Sequence, residues 1–236
     1  MKRFFVILFF LFAAAHLPAQ TISPVIQEYQ GKADGRFQIY NDAEVPLTVV
    51  LEPHSFSVDS NGNPTFRKLD PEIHVQFSST SFRIQPKQTY FVFYKATAEV
   101  LPNWFCVYAT VTGSTTATGI KLALQLPHTV YLLDRNSIER DQITWLRADS
   151  ATVGNKRQIV AEIENHSNKF SRVRGVEVTS AGGKRTFAGF PLFPGQKRLL
   201  SLDWDGSSEP QHIVLNFDHI KVESDLKSAT SASLAP

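Results

Sequence analysis

Ile120-Lys121-Leu122-Ala123-Leu124-Gln125-Leu126-Pro127-His128-Thr129-Val130-Tyr131-Leu132-Leu133 is the stretch on which the fold turns. Apolar side chains recur at every second position from Ile120 to Leu126, which is the period of a strand with one face buried and not that of a helix. The run is broken only by Pro127, which cannot donate to a strand ladder and so marks an edge strand or a bulge. An incompletely paired edge is where another chain can add a strand.

The same period recurs on either side. Arg36 to Tyr40 and Val45 to Leu51 read as strands flanking the Asn41-Asp42-Ala43-Glu44 turn, and Asn61-Gly62-Asn63-Pro64 is a second turn signal. Further strands are expected at Ile73 to Phe77, Gln88 to Lys95 and Phe105 to Val111, with a Gly, Ser, Thr and Ala loop at Thr112 to Gly119. Turn signals every eight to twelve residues, without helix-period patterns, indicate an immunoglobulin-like sandwich. Beyond Asp134 the pattern resumes in Arg157 to Glu164, Val173 to Val178, Gln196 to Trp204 and His212 to Phe217, with Gly189 to Gly195 read as an apolar loop. The fold class expected is all-β, two immunoglobulin-like sandwiches covering 22–134 and 135–222. A Ser-, Ala- and Thr-rich tail over 223–236 is expected to be disordered.

Lys2 and Arg3 precede an uncharged apolar run from Phe4 to Ala15, followed by Leu17-Pro18-Ala19, the order of a cleavable signal peptide over 1–19. The run is too short for a lasting membrane span, although an N-terminal anchor is the alternative. Of 24 basic and 22 acidic residues, the two basic ones in this leader leave equal numbers in the remainder. Such balance speaks against nucleic acid or an anionic membrane as partner. Cys106 is the single cysteine, so no internal disulfide forms, and a buried structural role is expected for it. No nucleophile elbow, phosphate loop or metal-helix motif is present, and the seven histidines are scattered. Neither a catalytic residue, a metal site nor a cofactor is expected.

Several segments together resemble the PapD-like periplasmic chaperones of pilus and fimbria assembly. They are Phe37-Gln38-Ile39-Tyr40-Asn41, Ser81-Phe82-Arg83-Ile84-Gln85-Pro86-Lys87-Gln88, Leu101-Pro102-Asn103-Trp104-Phe105 and Leu122 to Leu133. In the second half, Glu164-Asn165-His166 and Phe190-Pro191-Leu192-Phe193-Pro194-Gly195 join them. The resemblance implies two sandwiches set as a boomerang and a strand G that inserts alternating apolar side chains into a secreted subunit lacking a strand. The subunit would then pass to an outer-membrane usher. On this chain the inserting residues would be Ile120, Leu122, Leu124 and Leu126, unless that face belongs to the protein's own core. The family also holds its client's terminal carboxylate with an arginine on strand A and a lysine on strand G. Here Ile22 to Gln30 carries no basic residue and the strand G position is His128. Arg83, Asn41, Cys106 and Pro127 are assigned structural roles. An exposed strand G also offers an edge to a second copy of the chain. The alternative to a chaperone is a secreted structural or adhesion module.

Overall fold

A computed structural model describes residues 20–115, 121–153 and 156–229. The first lobe comprises β1 (Thr21–Ser23), β2 (Ile26–Gln30), β3 (Ala33–Tyr40), β4 (Leu47–Val58), β5 (Pro64–Lys68), β6 (Ile73–Phe77), β7 (Ser81–Ile84), β8 (Thr89–Ala98), β9 (Asn103–Thr115) and β10 (Lys121–Leu133). One sheet runs β1-β3-β8-β6; the other runs β2-β10-β9-β4-β5, with β7 also paired to β4. The chain changes sheets between Ser23 and Ile26, so one N-terminal segment closes one sheet antiparallel to β3 and borders the other parallel to β10.

Alternation places the core. Along β9, Phe105, Val107 and Ala109 are fully buried between the sheets, where they meet Phe37, Ile39, Val49 and Val92. The opposite parity, Trp104, Cys106 and Tyr108, faces away from this core. Yet Cys106 is 1% exposed, because the second lobe covers it.

The second lobe holds β11 (Ile143–Val153), β12 (Lys156–Asn165), β13 (Ser171–Ser180), β14 (Gly183–Leu192), β15 (Lys197–Trp204), β16 (Pro210–Asn216), β17 (Lys221–Asp225) and β18 (Lys227–Ser228). Its sheets run β15-β12-β11-β18 and β14-β13-β16-β17, enclosing Ile159, Ile163, Val178, Leu192, Ile213 and Leu215. The architecture is thus two all-β immunoglobulin-like sandwiches in a boomerang-like arrangement. Two local expectations fail. Phe190 to Leu192 belongs to β14, paired with Ser171 to Val173, and not to a loop. The expected tail from 223 falls inside β17, where Val222 is buried; Leu226 N–H then bonds Gln211 O, and Ala229 N–H bonds Ser150 O. Backbone pairing holds a polar segment there that composition alone reads as disordered.

Each lobe turns one corner by the same device. Buried Asn41 donates through Nδ2 to the carbonyls of Val45 (2.9 Å), Ile84 (3.2 Å) and Gln85 (3.1 Å), and its Oδ1 accepts from Ala43 N–H. Asn165 donates to Lys169 O (2.8 Å) and Phe193 O (2.9 Å) and accepts from Ser167 N–H. Asn41 N–H bonds Gln88 O as Asn165 N–H bonds Gln196 O. The residue before each glutamine is left-handed, Lys87 at φ 58° and Gly195 at φ 64°. A glycine is the ordinary occupant of that conformation. Lys87 is held in it by Nζ bonds to Asp42 O (2.6 Å) and the Asp42 carboxylate (3.0 Å).

The lobes meet at an aromatic seam. Phe56, Trp104, Cys106 and Tyr131 of the first pack on Phe170 and Phe193 of the second, with ring centroids 4.6 Å apart for Trp104–Phe193 and 4.8 Å for Tyr131–Phe170. Gln196 Nε2 donates to Asp59 O (3.0 Å), Leu199 N–H to Ser60 O (2.8 Å), and Arg172 Nε to the Glu28 carboxylate (2.6 Å).

Candidate functional site: the open edge of β10

β10 is covered unequally on its two sides. On one it pairs with β9 from Lys121 to Leu132, with a register shift between Lys121 and Ala123; on the other, β2 accompanies only Thr129 to Leu133. Thr129 N–H donates to Val25 O at 2.7 Å, so Thr129 turns its backbone groups toward β2. Successive strand residues alternate in this respect. The odd positions upstream therefore aim their N–H and C=O away from β9, and among the described residues no strand meets Ala123 or Gln125 there. Pro127 shares that parity. Its missing N–H lies on the open side and leaves the β9 ladder intact.

The even positions form one face with two environments. Leu132, Val130 and His128 are fully buried in the first core. Leu126, opposite Ala109, is half-buried against the same core. Leu124 and Leu122 continue that face past its cover and are 40% and 42% exposed. Val25 (50%) and Ile26 (48%) are exposed where β2 begins. Of the four residues expected to insert into a partner, Leu122 and Leu124 are presented, Leu126 is largely taken by the protein itself, and Ile120 lies outside the described residues. Covering the two exposed leucines removes about 150 Å² of apolar surface from water, or about 4 kcal/mol.

At the strand position the resemblance assigns to a carboxylate contact, the His128 side chain is turned into the core. Its ring is fully buried, stacked on Phe37 with centroids 4.6 Å apart, and both nitrogens are engaged: Nδ1 with Pro24 O at 2.7 Å, Nε2 with the Tyr94 hydroxyl at 3.1 Å. The Tyr94 hydroxyl also lies 2.9 Å from Gln27 Oε1 and 3.1 Å from the Tyr29 hydroxyl, and its single proton serves one of these partners or His128 Nε2 at a time. Burial lowers the His128 pKa to about 4, with the Pro24 carbonyl opposing the shift. A neutral, enclosed imidazole presents no charge at the surface. What His128 does is tie the crossover segment to β10 at the point where the open edge ends.

The cations of the joint come from the second lobe. Arg172 reaches across to Glu28 on β2, with its guanidinium carbon 5.2 Å from the Tyr131 ring centre and 5.8 Å from that of Phe170. Its Nη2 is buried without a hydrogen-bond partner. The ring faces supply cation–π attraction in place of one. Arg174 makes a two-pronged bond to Asp218, at 2.6 and 2.8 Å. These groups border a cavity of about 160 Å³ that also meets Gln30, Leu133 and Arg135.

The residues assigned structural roles divide. Asn41 is the buried hub described above, and Cys106 is enclosed in the seam with its thiol pKa raised by burial. Arg83 is exposed on β7 opposite Thr48, and its side chain makes no hydrogen bond or ion pair with another described residue. The structural weight of its segment rests on Ile84, buried in the core, and on the carbonyls that Asn41 holds. Among the described residues no group of three or more His, Cys, Asp or Glu side chains is placed to hold a metal ion.

No protein-family model matches the chain, and no curated protein matches it in sequence. Solved structures do match in three dimensions. The class 5 fimbriae chaperone CfaA is 10% identical, with 88% of this chain and 99% of that chain covered at a TM-score of 0.54. A structure of the Salmonella enterica SafA pilin in complex with the SafB chaperone gives 12% identity, 90% and 99% coverage, and 0.54. The YadV chaperone gives 10%, 88% and 99%, and 0.53. At such identities the likeness is one of fold: both lobes, over nearly their whole length, follow the architecture of these solved structures.

Proposed function

We propose that this chain is a periplasmic chaperone that holds secreted, β-rich subunits of the pilus or fimbria type by strand addition at β10 and releases them to an outer-membrane assembly partner. The observation that carries the reading is the uncovered edge at 121–128, whose leucine face passes without a break from the protein's own core into solvent. A partner sheet lacking a strand gains backbone bonds from Ala123 and Gln125 and apolar cover from Leu122 and Leu124. Such capture requires neither cofactor nor catalysis. The likeness in fold to structures described as fimbrial chaperones supports it, and the 1–19 leader is the expected route to the periplasm. With no basic residue from Ile22 to Gln30 and His128 enclosed in the core, apolar burial and ladder bonds carry the binding.

The test is site-specific photocrosslinking in the native periplasm, with the photoreactive residue at Leu122, Leu124 or, as control, exposed Phe91 on the other sheet. A secreted β-rich subunit joined at the two leucine positions and absent at Phe91 is the expected result. Adducts that do not distinguish β10 from Phe91, or none on a folded protein, would overturn the reading and favour a spacer or adhesion module.

A further inference from the structure

The row of backbone groups that is open in the first half of β10 is the row that β2 covers in the second. Thr129 N–H bonds Val25 O and Gly31 N–H bonds Leu133 O. The parallel ladder therefore takes its bonds from Thr129, Tyr131 and Leu133, which share the parity of Ala123, Gln125 and Pro127. β2 is lightly seated there. None of its five side chains is fully buried. It runs between Ile22 of β1, buried and paired with Ile39, and Gly31, left-handed at φ 82° with no neighbour where a Cβ would stand. β10 does not depend on it: β9 pairs with β10 as far as Leu132, Val130 and Leu132 lie in the first core, and Tyr131 lies in the seam.

We infer that β2 is a releasable strap over the second half of the partner-binding edge, and that the polar cluster of Gln27, Tyr29, Tyr94 and His128 is its latch. Tyr94 comes from the opposite sheet, and its hydroxyl lies within 3.1 Å of a polar atom of each of the other three. One group thus ties two side chains of β2 to one of β10. His128 Nδ1 adds the Pro24 carbonyl just ahead of the strap. The seat is shaped for the cluster: on β3, a Cβ at Gly35 would overlap the Tyr29 hydroxyl. Outside the cluster, the strap is tied through Glu28 to Arg172. With the latch open, β2 swings out between its two anchored ends, and the edge offered to an extended partner strand lengthens from 121–128 to 121–133. The identity of that partner rests on the proposed function, but the opening itself is read without one.

The test is amide hydrogen exchange of the full chain at residue resolution, near neutral pH and in low urea. Amides of Thr129, Tyr131 and Leu133 point at β2, and those of Val130 and Leu132 at β9. The first set is expected to exchange at least about tenfold faster than the second and to depend little on urea, because only a small surface opens. Tyr94→Phe and Gly35→Ala, the latter leaving the atoms of both strands in place, are each expected to quicken the first set by about tenfold, the weight of one hydrogen bond. Val92→Ala, buried in the same core but outside the cluster, is expected to quicken the second set alone. If the first set is as slow and as urea-dependent as the second, β2 leaves only when the sandwich unfolds and the inference is overturned. It is overturned equally if Tyr94→Phe and Gly35→Ala leave the first set unchanged. A strap that opens as expected in a protein giving no adducts at Leu122 and Leu124 upholds the inference while refuting the chaperone reading.

Discussion

Replacing His128 by glutamine removes a titrating group from the first core while keeping a side chain able to bond within it. In the folded chain the His128 pKa is lowered from 6.5 to about 4, so between these values the unfolded chain binds a proton that the folded chain refuses. Stability therefore falls as the medium is acidified, because the unfolded state holds more protons throughout that window. The contribution is fully present above about pH 6.5 and lost by about pH 4, and at about 1.4 kcal/mol per unit it amounts to about 3 kcal/mol. Urea unfolding of both proteins across about pH 7.5 to 4.5 reads it as a difference, with other groups common to the two cancelling. The glutamine variant should be less stable near neutrality, through poorer hydrogen bonding, and should close most of the gap in acid. Parallel stability curves would refute the argument, since the buried imidazole would then not be held neutral by its surroundings.

Three further outcomes are expected. Leu122→Asp and Leu124→Asp, at exposed positions, should change unfolding free energy by less than about 1 kcal/mol, whereas Leu132→Ala on the same face of β10 should cost about 2–5 kcal/mol in the same titration. Asn41→Ala takes a partner from Ala43 N–H and from the Val45 and Ile84 carbonyls, while Gln85 O keeps Gln88 N–H, and should cost at least about 2 kcal/mol by urea unfolding. Phe193→Ala, at the seam, should cost about 3–5 kcal/mol and separate the lobes into two calorimetric transitions where the parent shows one.

Strand alternation made the all-β class legible, because one face of nearly every strand meets a core. It could not show where along β10 that core ends. Leu122, Leu124, Leu126 and His128 have one parity, and only the sheet lying over them makes the last buried and the first two exposed. By position His128 matches the strand G residue that contacts a carboxylate in the family the chain resembles, yet Phe37 and Tyr94, distant in sequence, enclose it. β11 gave little signal because Arg147 and Asp149 interrupt its apolar pattern, and their 2.6 Å ion pair explains their tolerance within a strand. The two prolines of 190–194 disguised the end of β14. The seam was hidden for another reason: Trp104 and Tyr131 occupy positions that period two marks as facing away from the core, and their cover comes from another sandwich.

β10 has a mechanical consequence. Within thirteen residues one extended strand is a bare rim at Leu122, a wall of the first sandwich at Val130, and half of the joint at Tyr131, and it then feeds the linker at Asp134. A pull or twist applied at the rim reaches the joint along covalent bonds, with no soft element between. The strand is a lever whose far end bears on the orientation of the second lobe.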